Sequence, residues 1–303
     1  MTSKKLLEYR IFKDKIASRS MFLLTVFSLL IIIVMGYGLY SKSTTILESH
    51  SIWKLLFDSQ WEPLKGNFGF YSFIVSSVYV TVLSVGIALP ISLLTALYIT
   101  ENAQPWVKKV IFPVLDILAG IPPVVYGLWG TLIIVPWISD SLGTRFVEYT
   151  NGYTVLAGGI VLSVMIIPLL VSLFIEIFST VPKDFRDASA SLGATRWQTS
   201  RKVVVRKALP GIIAAVVLAI SRAFGETLAV LMVCGNVINI PKSLFEGCYP
   251  LSALIANNYG EMLSLPLYES ALMFAALVLF VIILVFNTVS RLILHQVKRS
   301  YKV

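Results

Sequence analysis

The stretch SRAFGETLAV, Ser221 to Val230, sets Arg222 and Glu226 four residues apart inside an otherwise uncharged run. A guanidinium presents its donors in a planar fork that fits two oxygens of a phosphate or a carboxylate. A carboxylate at i+4 lies on the same helical face and pairs with it. Two chemistries are open. One is a structural ion pair that holds a helix in a bundle. The other is an arginine that offers positive potential to a passing anion, with Glu226 holding it in place and keeping the anion from binding too tightly. Gly225 permits close approach by a backbone or a ligand, and Thr227 adds a hydroxyl. Arg222 lies twelve residues past Pro210, roughly 18 Å along a helix and near the middle of a hydrocarbon core about 30 Å thick. Each charge there costs at least about 2.5–3.5 kcal/mol, so both should face the bundle interior.

The other chemically able residues point nowhere. Cys234 and Cys248 have no metal-ligand spacing; they read as two unpaired thiols, and a bridge between them requires both to face an oxidising compartment. His50 and His295 are far apart and have no acidic or cysteine neighbours arranged for catalysis. No catalytic residue, metal site or cofactor is expected.

The elements that must carry Arg222 and Glu226 are membrane spans. The 303 residues are 57% hydrophobic and only 14% charged, with a mean hydropathy of +0.83; soluble domains hold about 45–50% apolar residues. The expected fold is all-α and polytopic. At about 20 apolar residues per span, six candidates emerge: Met21–Tyr40, Tyr71–Thr100, Val110–Ser139, Tyr153–Phe178, Leu209–Cys234 and Ser270–Ser290. The third is interrupted by GIPPVVYG, with Gly120, Pro122 and Pro123 as the helix break. Broken helices are tolerated in membranes only where protein or a cavity covers the freed backbone, so this segment is expected to face the interior.

Lysine and arginine set the orientation. They cluster before the first span (Lys4, Lys5, Arg10, Lys13, Lys15, Arg19), at Lys108 and Lys109, between spans four and five (Lys183, Arg186, Arg196, Arg201, Lys202, Arg206, Lys207) and at the C-terminus (Arg291, Lys298, Arg299, Lys302). The opposite loops hold only Lys42, Lys54, Lys65, Arg145 and Lys242. Both termini are therefore expected in the cytoplasm of a multi-pass protein of the cell (inner or plasma) membrane. The net charge of +9 is mostly this topology bias. No basic patch is interleaved with aromatics, so nucleic acid is not an expected partner; the lipid bilayer is. No small-residue cleavage site follows the first span, which reads as a retained anchor. Residues 1–20 carry Leu6, Tyr9, Phe12 and Ile16 at steps of three and four between basic residues. They read as a cytoplasmic amphipathic helix on the inner surface, or as a basic tail without structure. Residues 21–303 form the transmembrane domain.

The longest cytoplasmic connection, about 181–208, is helix-compatible from Asp184 to Leu192 and stops at Gly193, as helices do at a glycine. A second partly apolar piece begins at Trp197. Such a knob suits a partner's groove, and an amphipathic connector fits as well. Here DASASLGATRWQ resembles the EAA loop of ABC-importer permeases. Asp187, Ala188, Ser189 and Gly193 occupy the motif positions, with Asp for the usual Glu and Ser for the second Ala. The proline common thirteen residues past the glycine is absent, Arg206 standing there, though Leu209-Pro210 follow. LAGIPPVVYGLWG (Leu118–Gly130), RAFGETLAVLMVCGN (Arg222–Asn236) and YPLSALIANNYGE (Tyr249–Glu261) resemble the phosphate-importer permeases, and their combination is most similar to the C-type subunits of that family. The resemblance implies a type I importer bundle whose loop, through Asp187, Ala188, Ser189, Gly193 and Trp197, couples to an ATPase. It also implies a second permease as heterodimer partner, two copies of an ATP-binding subunit and an extracytoplasmic phosphate-binding protein. The chain is not expected to be an enzyme: the P-loop pattern needs Gly-Lys, and that dipeptide never occurs. Arg222, Gly225, Glu226 and Thr227 then become candidate substrate-pathway residues.

Overall fold

Long apolar runs in a bilayer must close their backbone hydrogen bonds internally, which leaves helices as the economical solution. The computed structural model describes residues 3–147, 149–260 and 265–300, with side chains described for all of these except 3–9, 144, 290 and 293–300. Lys302 and Glu261, both named above, lie outside the described residues.

The chain opens with α1 (Ser3–Lys42), a helix without interruption. A small cap follows: α2 (Thr44–Ser49), α3 (Ile52–Phe57) and a hairpin of β1 (Trp61–Glu62) and β2 (Asn67–Phe68), paired antiparallel with Trp61 opposite Phe68. Trp61 packs edge-on against Phe70, Phe73 and Tyr268, with ring centroids 5.2–5.9 Å away, and so seats the cap on the next span and the last. Then come α4 (Tyr71–Glu101), α5 (Pro105–Gly120) and α6 (Pro123–Trp129). From α6 the helix continues through a wide-turn segment (Gly130–Ile134), α7 (Val135–Trp137), a second wide turn (Ile138–Gly143) and α8 (Thr144–Phe146). The remainder is α9 (Val155–Ser179), α10 (Lys183–Ser191), α11 (Arg196–Thr199), α12 (Val205–Phe224), α13 (Leu228–Val233), α14 (Leu251–Asn258) and α15 (Pro266–Ser300).

Among the described residues, six stretches are long and apolar enough to cross a membrane: Arg10–Lys42, Tyr71–Glu101, Pro123–Gly143, Val155–Ser179, Arg196–Phe224 and Pro266–Val289. The all-helical six-span expectation holds, with three differences. The third span starts at Pro123, and α5 before it is a separate helix. Pro122 is extended (ψ 141°) and Pro123 occupies the first helical position, where its missing N–H costs nothing. The proline pair therefore begins a helix, where the sequence reading had it interrupting one. The fifth span ends at Phe224, so Arg222 lies in the last turn of its helix, not mid-helix. Finally, α1 runs unbroken through residue 20, so the helix of residues 3–20 is continuous with the first span and is not a separate surface helix.

The core lies along α9, whose Leu162, Ile166, Leu170, Phe174 and Phe178 are fully buried. It packs most closely on α4, where a Cβ at Gly159 would come within 2.5 Å of Leu83. None of the described α1 side chains is buried; that helix leans on α15, where Gly36 sits close to Phe280.

Candidate functional site

Glycine at 225 and the polar residues after it end α12, and the structure builds a site out of the interruption. The Gly225 N–H donates to Ser221 O (3.3 Å) and the Glu226 N–H to Ala223 O (3.3 Å), closing the last turn. The Glu226 carboxylate then turns forward. Its Oε1 accepts the N–H of Thr227 (3.0 Å) and of Ala229 (3.4 Å) at the start of α13. An acidic acceptor suits free amides at a helix start. The Thr227 hydroxyl donates to Gly225 O (3.2 Å), and the Glu226 carbonyl accepts Ser252 Oγ (2.6 Å) from α14.

This overturns the expected pair. Among the described residues no ion pair joins Arg222 to Glu226. The i, i+4 geometry requires a continuous helix; the break at Gly225 removes it, and amides occupy the carboxylate. Arg222 is exposed on this chain. Its charge reaches the Tyr126 phenol, whose OH donates across the proline break to Leu118 O (2.8 Å). Gly225 is exposed, and a Cβ there would find nothing nearer than Ser221 O at 3.5 Å; no part of this chain crowds it. The four pathway candidates are contiguous, and the break at Gly120–Pro123 is linked to them through Tyr126. Gly120 and Pro122 are exposed on the chain, not buried in its interior.

The segment after the break hangs on α4. Ser77 Oγ accepts the Leu251 N–H (2.8 Å) and Ser76 Oγ the Tyr249 N–H (3.4 Å). Tyr249 OH accepts from Asn257 (2.8 Å), and Tyr268 OH donates to Asn258 (2.9 Å). Ser76 and Ser77 were missed from sequence, where the serines of α4 look like ordinary membrane-helix residues. Both cysteines are free and buried, with the Cys248 N–H donating to Cys234 O (2.8 Å).

The coupling candidates sit together in a compact knob. Gly193 (φ +78°) ends α10 in the left-handed region. Its N–H donates to Ala190 O (2.9 Å) and that of Ala194 to Ser189 O (3.2 Å), the doubly bonded glycine stop of helix C-termini. Thr195 and Gln198 form a reciprocal cap on α11, and Ser189 Oγ meets Thr199 Oγ1 at 2.9 Å. Asp187 and Ala188 are exposed, as are Leu192 (89%) and Trp197 (55%), an unusual apolar display for a free surface. The sequence reading missed Glu101 and Arg186, which form a part-buried ion pair beneath this knob, Nη2 to Oε1 at 2.8 Å.

Residues 88–303 match the family model described as binding-protein-dependent transport system inner membrane component. The chain is 44% identical over 203 residues to a probable ABC transporter permease protein of Bacillus subtilis, covering 66% of this chain and 64% of that relative. It is 34% identical to a probable phosphate transport system permease protein of Methanocaldococcus jannaschii, covering 86% of this chain and 87% of the relative. Among solved structures it resembles a chain of a bacterial alginate ABC transporter in complex with a pentasaccharide-bound periplasmic protein. The TM-score is 0.63 at 15% identity, covering 97% of this chain and 99% of that one. That likeness concerns the fold, an importer-permease bundle of type I.

Proposed function

The chain belongs to the family of binding-protein-dependent transport system inner membrane components, and from that premise we propose that it is the permease subunit of an ATP-driven phosphate importer, forming half of the translocation pathway. The name carried by a relative that covers most of the chain supports phosphate as the cargo. The observation that carries the reading is Arg222: a guanidinium without an ion-pair partner among the described residues, exposed beside a helix break. Its own glutamate is occupied in capping α13. A charge at membrane depth needs water, an anion or another subunit. The exposed break at Gly120–Pro123 makes the same demand, since freed backbone must be covered by protein or line a cavity. A second permease across a shared aqueous pathway meets both.

The second permease is a sister subunit. Two ATP-binding subunits sit on the cytoplasmic side, and an extracytoplasmic binding protein delivers phosphate. The chain itself hydrolyses no ATP. Residues 1–20 and the knob at about 181–208 are cytoplasmic, as are both termini. ATP binding closes the ATPase pair and draws on α10; the bundles rock so that the pathway faces outward, and product release returns it inward. Arg222 lends the pathway positive potential. It does not form a tight site, because the binding protein supplies the selectivity. Gly225 leaves room beside the break, and Thr227 places a hydroxyl there.

The test is uptake of radiolabelled phosphate by proteoliposomes holding the assembled complex. ATP- and binding-protein-dependent uptake is expected, lost in Arg222→Gln and partly kept in Arg222→Lys, which retains charge without the fork. Uptake of molybdate or sulfate with no uptake of phosphate rejects the cargo. Full uptake by an assembled Arg222→Gln complex removes Arg222 from the pathway.

A further inference from the structure

Glu101 is the last residue of α4, where the partial negative charge of the helix end disfavours a carboxylate. Its neighbour is Arg186 in α10. Arg186 Nη2 donates to Glu101 Oε1 (2.8 Å), and Nε lies 3.1 Å from Oε2 and 3.2 Å from Oε1. The same guanidinium donates through Nη1 to Val181 O (2.6 Å) and through Nη2 to Phe178 O (3.0 Å). Phe178 belongs to the last turn of α9, whose final carbonyls have no partner within the helix. One side chain thus caps α9, neutralises the end of α4 and belongs to α10. The arginine side chain is 21% exposed and the glutamate 11%. Open clefts of about 440 and 200 Å³ flank the pair, so little else spans the gap from α10 to α4.

The covalent route from α10 into the membrane is softer. It passes through the Gly193 turn, the short α11 and a wide-turn segment at Ser200–Val204 before α12 begins. Two connections therefore leave α10: a jointed one along the chain to α12, and a fork-on-carboxylate contact to α4 and α9, the most closely packed pair in the bundle.

We propose that Arg186 and Glu101 are positioning residues for coupling: the pair makes α10 move as one body with the cytoplasmic ends of α4 and α9, so that motion of the knob reaches the bundle core through this contact. The proposal rests on the reading of α10 as the element that meets an ATPase. Lysine at 186 keeps the charge but cannot reach the carboxylate and two carbonyls at once. Glutamine at 101 keeps an acceptor and loses the charge.

The experiment uses the reconstituted complex and two readouts. The first is phosphate transported per ATP hydrolysed, beside the amount of complex assembled. Arg186→Gln and Glu101→Gln are expected to assemble and hydrolyse ATP while the transport ratio falls about 2- to 30-fold, with Arg186→Lys between them and the parent. The second readout does not depend on cargo: spin labels on the exposed Ala190 of α10 and Tyr98 of α4 report their separation with and without ATP. It should stay constant in the parent and change with nucleotide in Arg186→Gln. A parent with no phosphate uptake but a constant separation rejects the cargo and keeps the clamp. A separation that already changes with nucleotide in the parent overturns the clamp, and so does an unchanged transport ratio in both variants at normal assembly. A fall in transport and hydrolysis in strict proportion to lost complex shows a fold-holding contact only, and overturns the proposal as well.

Discussion

If Glu226 caps α13 and does not neutralise Arg222, the two substitutions must act independently on stability. Glu226→Ala removes the acceptor of the amides at 3.0 and 3.4 Å, and losing such a helix-start acceptor costs about 1–2 kcal/mol. Glu226→Gln keeps an acceptor oxygen and gives up mainly the attraction between the carboxylate and the helix end, about 0.5 kcal/mol. Arg222→Gln touches an exposed side chain with no ion-pair partner among the described residues, and should shift stability by no more than about 0.5 kcal/mol. The double variant should then equal the sum of the singles to within about 0.5 kcal/mol. A buried pair behaves otherwise: removing one partner costs about 3–5 kcal/mol, and removing the other as well recovers much of it. The assay is equilibrium unfolding of the assembled complex in mixed micelles for the parent, both singles and the double, with phosphate uptake on the same samples. Arg222→Gln should lose uptake at unchanged stability, and Glu226→Gln added to it should restore nothing. A coupling of about 2 kcal/mol or more in the direction of mutual rescue refutes the capping argument and reinstates the ion pair.

Other outcomes follow from the same geometry. Gly193 has φ +78°, and a Cβ added there would meet no atom within 4 Å, so the penalty at this site is conformational and not steric. Gly193→Asn, with a side chain that tolerates the left-handed region, should support more transport than Gly193→Val; equal transport by the two variants would show that the turn is dispensable. A Cβ at Gly158 would meet Cys234 Sγ at 2.5 Å; Gly158→Ala should cost about 1–3 kcal/mol, and Cys234→Ala should relieve part of that, an interaction read by a double-mutant cycle in thermal stability. Single cysteines replacing Lys54 and Lys242 should react with impermeant maleimide in intact cells while one replacing Arg196 stays shielded; labelling at 196 would reverse the proposed orientation and take the coupling knob out of the cytoplasm.

The sequence showed some of these features and hid others for identifiable reasons. Spans such as Val155–Ser179 are legible because about twenty apolar residues in a row are what a bilayer crossing requires. The knob is legible because a helix stop is local: Gly193 and the Thr195–Gln198 cap lie within a few residues of what they terminate. The ends of the third and fifth spans were hidden because hydropathy does not register a break between two equally apolar pieces. Leu228–Val233 is as greasy as the helix before it, and what separates them is where Glu226 and Ser252 send their hydrogen bonds. The Glu101–Arg186 pair spans 85 positions, beyond any periodicity; in a charge count Arg186 is one more basic residue in a cytoplasmic loop. The polar groups of the bundle now divide by whether this chain answers them. Glu226, Ser76 and Ser77 are met by amides of the same chain. Arg222 and the exposed backbone turn at Gly120–Pro122 are not. In a bilayer that inequality has a direction: the features left open must face water or another subunit, so the surface that carries Arg222 is the one on which the proposed pathway closes.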